Sequence, residues 1–128
     1  MGAKEKATAL HEQGFNCAQS VLGALGSYTG LDEHAALSIA GGFGGGVSCG
    51  EICGAVSGAV MAMGMAHPCS DPASRQLVRR QAAEFARTFR GNFGCIRCVD
   101  LKRNGQPCPV LIEYAAELAE KMLSEQKD

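Results

Sequence analysis

Tryptophan is absent from the 128-residue chain, and other aromatic residues are few, with two Tyr and five Phe. Aromatic platforms on which nucleotide bases stack are therefore scarce. The chain also has no large excess of charge of either sign, because 12 Lys and Arg offset 13 Asp and Glu and leave a formal net charge of -1. Proteins that bind nucleic acids or anionic membranes carry basic surfaces. We therefore expect no nucleic-acid partner and no membrane partner.

Long apolar runs are missing as well. The longest is the 15-residue segment 52–66, rich in Gly and Ala, and it is shorter than the roughly 20 residues that a membrane-spanning helix needs. The segment 1–14 carries charges and lacks the apolar centre of a secretory signal. We therefore expect a cytoplasmic protein, and the length of 128 residues predicts a single domain over 1–128.

Strand patterns are missing too, because no segment alternates β-branched or apolar residues with polar ones. Helical periodicity occurs instead, with Asn16 and Asp32 as N-caps and with Asp71 and Pro72 at the start of a long helix. The predicted helices are 4–13, 17–27, 33–40, 50–66, 72–90 and 107–123, and the segment 91–106 is predicted to be irregular. Together they predict an all-α fold, a compact single-domain bundle of about five or six helices with short loops.

Cysteine, in contrast, is abundant. The chain has seven cysteines, and such an odd number in a cytoplasmic protein indicates thiol or metal chemistry rather than a disulfide framework. Several stand at predicted helix starts, where backbone N–H groups and the helix dipole stabilise an anion and lower the pKa of a thiol. These cysteines are Cys17, Cys49, Cys69 and Cys108.

In the segment 45–64, glycine recurs every four residues from 46 to 58. These glycines are Gly46, Gly50, Gly54 and Gly58. A ridge of glycines predicts the close approach of a second backbone, either within the chain or in a homo-oligomer. Cys49 and Cys53 lie on another stripe, one turn apart, where Cβ atoms about 5–6 Å from each other are too distant for a disulfide. The two thiols could share a metal ion, or one could be a nucleophile whose partner comes from elsewhere.

Cys95 and Cys98 form a C-x-x-C pair, which can close a redox disulfide or ligate a metal. The strand-then-helix setting of a thioredoxin is missing. The cysteine spacings match a zinc ribbon only imperfectly and do not match the ferredoxin patterns. Arg97 and Arg103 are close enough in sequence to stabilise a thiolate. The three histidines lack a paired ligand motif and are predicted to be surface or capping residues. They are His11, His34 and His67.

Several segments form a pattern that spans nearly the whole chain. They are GFNCAQSVL, GGFGGG, CGAVSGAVMAMG and FGCIRCVDL, with a late Cys before an Ala-rich helix. In these segments the chain resembles the C-GCAxxG-C-C family. The most specific element is CGAxxG, beginning at Cys53, where the family name writes GCAxxG. The resemblance implies a small helical protein with a redox role. It assigns the four family cysteines to Cys17, Cys53, Cys98 and Cys108, and Cys49, Cys69 and Cys95 are additions to the family pattern.

Three hypotheses follow for function. The first is thiol/disulfide electron transfer by the four family cysteines, as a thiol–disulfide oxidoreductase or an accessory redox protein, with a redox partner protein or a small thiol. The second uses the same four cysteines as ligands for Zn or an iron–sulfur cluster, with Cys49 and Cys95 as further candidates. The third is a structural or partner-binding helical module with inert thiols. In the first two, we expect Cys53, Cys98 and Cys108 to cluster with Cys17 at or beside them, and Cys69 to lie apart.

Overall fold

The computed structural model describes residues 2–125, and in that part of the chain eight α-helices follow one another without a strand. The helices are α1 (Ala3–Glu12), α2 (Cys17–Ala24), α3 (Gly26–Thr29), α4 (Glu33–Ile39), α5 (Gly54–Ala66), α6 (Arg75–Phe93), α7 (Cys98–Arg103) and α8 (Cys108–Glu125). The all-α prediction is confirmed. The helices outnumber the prediction because the helix expected over 17–27 divides at Leu25 and the segment expected to be irregular contains α7.

The predicted N-caps of α2 and α4 are confirmed. Asn16 Oδ1 accepts a hydrogen bond from the Gln19 N–H at 2.9 Å, and Gln19 Oε1 accepts one from the Asn16 N–H at 3.0 Å. This reciprocal pair satisfies two N–H groups at the start of α2. Asp32 Oδ1 accepts a hydrogen bond from the Ala35 N–H at 2.7 Å. Both caps act within one turn of chain, which is why the sequence reveals them.

The predicted start and end of α6 are wrong. Asp71 Oδ1 accepts a hydrogen bond from the Ser74 N–H at 2.9 Å, and Ser74 Oγ donates one to Asp71 O at 3.1 Å. These bonds close a separate turn, so the helix begins at Arg75 instead of Pro72. It runs past Arg90 to Phe93, where the Gly94 N–H donates to Arg90 O.

The predicted start of α5 at residue 50 is also wrong, because Gly50 ends a π-type turn over Gly46–Gly50. Within it Val47 and Ser48 have φ angles of 57° and 58°, in the left-handed region. Gly50 also has a positive φ, 84°, and Glu51 has φ and ψ of -83° and -142°, so neither residue is helical. The helix therefore begins at Gly54, with Cys53 as its N-cap. The glycine ridge is reduced to Gly54 and Gly58.

The core forms where α5 packs against α2, α6 and α8. Gly58 allows α2 to come close, since a Cβ atom added there would lie 2.7 Å from Ala18 O. On the other side, Phe89 of α6 contacts Phe93 and Tyr114, with ring centroids 4.8 and 5.9 Å away. Within residues 2–125, no helix has both the length and the apolar character needed to cross a membrane.

Candidate functional site

The four family cysteines line one cavity of about 160 Å³. Each stands at the start of a helix, because Cys17, Cys98 and Cys108 are the first residues of α2, α7 and α8 and Cys53 caps α5. The helix starts therefore converge on the cavity. Its other lining residues are His11, Asn16, Gly45, Lys102 and Leu111.

A short backbone pairing brings the segments of Cys53 and Cys98 together. Ile52 and Arg97 form an isolated antiparallel bridge. The Cys53 N–H donates to Ile96 O at 2.8 Å, and the Cys98 N–H donates to Glu51 O at 2.6 Å. Successive side chains of extended backbone point to opposite sides. Cys53 and Cys98, each one residue past the bridge, therefore share a side, and both line the cavity.

The Cys17 thiol lies in a space that only glycine leaves open. A Cβ atom added at Gly54 would overlap Cys17 Sγ and would lie 3.0 Å from Phe43 O and 3.1 Å from the Ala18 N atom. The first glycine of the CGAxxG element thus has a specific structural reason. It lets the start of α2 reach the start of α5, so that Cys17 meets Cys53.

Cys17 and Cys53 interact with each other, and their pKa values move in opposite directions. The hydrogen bond from the Cys53 thiol is the main cause that lowers the pKa of Cys17, to about 5, while burial opposes it and the backbone N–H groups of Gly45 and Ala18 assist. The same hydrogen bond raises the pKa of Cys53 well above that of an ordinary thiol, and burial raises it further. The lowered pKa favours the thiolate form of Cys17 at neutral pH, and the raised pKa favours the thiol form of Cys53.

Cys98 differs electrostatically from Cys17. Burial is the main cause that raises its pKa, and the charge of Lys102 acts in the opposite direction. Lys102 lies four residues after Cys98 on α7, so both side chains lie on one face of that helix. Cys17 and Cys108 each raise the pKa of Cys98 further, which shows that Cys98 lies within electrostatic reach of both.

The three cysteines outside the family pattern are not among the residues that line this cavity. Cys49 is exposed in the π-type turn, where its thiol donates to Gly46 O at 3.6 Å. It is not one helical turn from Cys53, as the sequence predicted, because α5 begins later. Cys69 is exposed, and Cys95 is half-buried and accepts a hydrogen bond from Asn104 Nδ2 at 3.7 Å. The C-x-x-C pair therefore contributes only Cys98 to the cavity.

None of the seven cysteines, which all lie in the described part of the chain, is part of a disulfide. Among residues 2–125, no group of three or more His, Cys, Asp or Glu side chains is arranged to hold a metal ion.

Sequence reasoning did not identify His11 and Lys102, which both line the cavity. For Lys102 a signal was available, since its four-residue spacing from Cys98 places both on one helix face if the segment is helical. The sequence drew attention instead to Arg97, which lies on the surface and pairs with Glu51 and Asp100 at 3.5 Å each. His11 had no comparable signal, because it reaches the cavity from α1 through tertiary packing.

The fold and the site define a class of protein, a small all-α protein with a cavity lined by cysteines at helix starts. Residues 15–122 match the family model described as "Putative redox-active protein (C_GCAxxG_C_C)". The chain belongs to this family, as the resemblance of its motifs predicted. No match was found among curated proteins or among solved structures.

Proposed function

We propose that this protein exchanges thiols and disulfides, with Cys17 as the nucleophile and Cys53 as the resolving cysteine. The observation that carries the proposal is geometric: Cys17 Sγ lies against Gly54, beside Cys53, and both cysteines line one cavity, with Cys17 half-buried and Cys53 only 3% exposed. The opposite shifts of their pKa values support the same division of roles. Thiol–disulfide exchange needs such a division, because a thiolate must attack first and a neighbouring thiol must then release the substrate. The family description as redox-active supports the same chemistry.

In the first step, the Cys17 thiolate attacks one sulfur of a substrate disulfide. The substrate is a protein disulfide or the disulfide form of a small thiol. The substrate S–S bond breaks, a mixed disulfide forms on Cys17, and one substrate thiolate leaves and takes a proton from solvent. Cys17 is the accessible member of the pair. Its low pKa keeps it ionised in mildly acidic as well as neutral solution.

The second step follows from the loss of charge on Cys17. The main cause of the raised pKa of Cys53 is its hydrogen bond to Cys17, and a mixed disulfide no longer carries the charge that accepts it. Backbone N–H groups of the first turn of α5 lower the pKa of Cys53 and remain in place. Cys53 then gives its proton to solvent and attacks Cys17 Sγ. A Cys17–Cys53 disulfide forms, the second substrate thiolate leaves, and the substrate has gained the two electrons that the pair lost.

The test is the rate of reaction with a small aromatic disulfide at pH about 5.5. There a thiol of pKa 8.5 is only about 0.1% ionised, whereas Cys17 is mostly ionised. A thiolate of low pKa is a weaker nucleophile, which removes a factor of about 40, so Cys17 should still react about 20-fold faster than an ordinary thiol. Peptide mapping identifies the cysteine that reacts.

Two substitutions of the resolving cysteine separate its roles. Cys53→Ala removes both the donor and the resolving sulfur, so the pKa of Cys17 should rise and a mixed disulfide should accumulate. Cys53→Ser keeps a hydroxyl donor, so the mixed disulfide should accumulate while the pKa of Cys17 rises less. Cys69→Ser is the matched control and should behave like the wild type. The proposal is wrong if Cys17 titrates with a pKa near 8.5 and the Cys53 variants trap no mixed disulfide.

A further inference from the structure

The proposed pair leaves two thiols of the cavity unused. Cys98 and Cys108 line the same cavity as Cys17 and Cys53, and each is the first residue of a helix, α7 and α8. We propose that Cys98 and Cys108 are a second redox pair, which takes over the disulfide from Cys17 and Cys53, so that the reduced protein holds four transferable electrons. This inference rests on the proposed function of the first pair.

The transfer requires Cys53 and Cys98 to approach each other beside the Ile52–Arg97 bridge. Cys53 stands opposite Ile96, as its hydrogen bond shows, and Cys98 is two residues further along that segment. Residues in this diagonal relation have Cα atoms about 7–8 Å apart, while a disulfide usually needs 6.8 Å or less. A shift of about 1 Å would bring Cys53 and Cys98 within bonding reach. Both residues are preceded by short non-helical segments, which can move more easily than a helix.

The direction of transfer follows from the stability of the reduced first pair. A dithiol whose nucleophile is a stabilised thiolate resists oxidation, so its disulfide is a strong oxidant. The hydrogen bond from Cys53 stabilises the thiolate of Cys17 in this way. Cys98 has no such stabilisation, because burial disfavours its thiolate. The disulfide should therefore move from Cys17 and Cys53 to Cys98 and Cys108.

The transfer balances without an external oxidant. Cys98 loses its proton to solvent, assisted by Lys102, and its thiolate attacks Cys53 Sγ. The Cys17–Cys53 bond breaks and Cys17 leaves as a thiolate, a good leaving group because of its low pKa. Cys108 then loses its proton and attacks Cys98 Sγ. The Cys53–Cys98 bond breaks and Cys53 takes up a proton. The second pair has lost two electrons and two protons, and the first pair has gained two electrons and one proton.

The experiment loads the first pair and then watches the disulfide move. Reduced full-length protein receives one equivalent of a small aromatic disulfide without oxygen at pH about 5.5, where mainly Cys17 is ionised. The released thiol is removed, the pH is raised to about 8 to ionise more of Cys98, and samples are alkylated and mapped by mass spectrometry. We expect the Cys17–Cys53 disulfide first. At the higher pH more than half of it should be replaced by Cys98–Cys108, at a rate independent of protein concentration.

Three variants make the result specific. Cys108→Ser should keep the disulfide on the first pair or stop it at Cys53–Cys98. Lys102→Gln should slow the transfer, because the charge that assists ionisation of Cys98 is lost. Cys69→Ser should match the wild type.

The two proposals fail differently. If Cys17–Cys53 forms and Cys98 and Cys108 stay reduced at the higher pH, the second pair is refuted and the first stands. A transfer rate that grows with protein concentration also refutes the intramolecular relay. If Cys17–Cys53 never forms in the loading step, both proposals fall.

Discussion

Replacement of Gly54 by Ala should damage the candidate site more than any other single methyl group added to α5. The new Cβ would overlap Cys17 Sγ and would press on Phe43 O and on the backbone of Ala18, at 3.0 and 3.1 Å. The backbone atoms cannot move easily, so the Cys17 side chain must turn away. Turning breaks its hydrogen bond with Cys53, which is the main cause of its low pKa.

The variant should therefore change two quantities together. Overpacking of this kind costs about 1–3 kcal/mol of unfolding free energy. The pKa of Cys17 should rise from about 5 towards the value of about 8.5 for an ordinary thiol. Denaturant unfolding measures the first quantity, and the ultraviolet absorbance of the thiolate as a function of pH measures the second.

Two other glycines of the same helix supply matched controls. Gly58→Ala would place a Cβ atom 2.7 Å from Ala18 O and away from the cavity, so it should lower stability with little effect on the pKa of Cys17. Gly64→Ala meets no atom within 4 Å and should raise stability by up to about 1 kcal/mol through helix propensity. The reasoning is refuted if Gly54→Ala is as stable as the wild type and leaves the thiolate titration unchanged.

Three further predictions concern the surroundings of the pair. Between pH about 5 and about 8.5 the native pair holds one proton and the unfolded pair holds two, so stability should rise with pH over that range. The rise should be lost as pH falls through the pKa of Cys17, and urea unfolding should show that Cys17→Ser abolishes it. Val47→Asn should stabilise the protein by about 1 kcal/mol, because a β-branched residue is strained at positive φ. Little packing is lost, since Val47 is 49% exposed. An unchanged denaturation midpoint would contradict this prediction. Asn16→Ala should cost about 1–2 kcal/mol in the same assay through loss of the cap on α2, and a cost near zero would show that Gln19 holds the helix start alone.

Sequence alone was enough for the features that act within one or two turns of chain. The absence of strand patterns and the helical periodicity predicted the all-α fold, which is confirmed. Asn16 and Asp32 were recognised as caps because each bonds an N–H three residues ahead. The sequence also predicted the family membership, since CGAxxG and the spaced cysteines are motifs that can be recognised without a structure. Residues 15–122 match the family model.

Tertiary structure decided which cysteines meet. The sequence predicted that Cys49 is the neighbour of Cys53, but Gly50 and Glu51 between them are not helical. Cys17 lies beside Cys53 instead, across Gly54. Cys98 reaches the cavity through a two-bond pairing between segments more than 40 residues apart. Positive φ angles and hydrogen bonds between distant segments are stabilised by the whole packed chain, so no local pattern predicts them. The charge on Cys17 depends on the same packing, because its main hydrogen-bond donor lies on another helix.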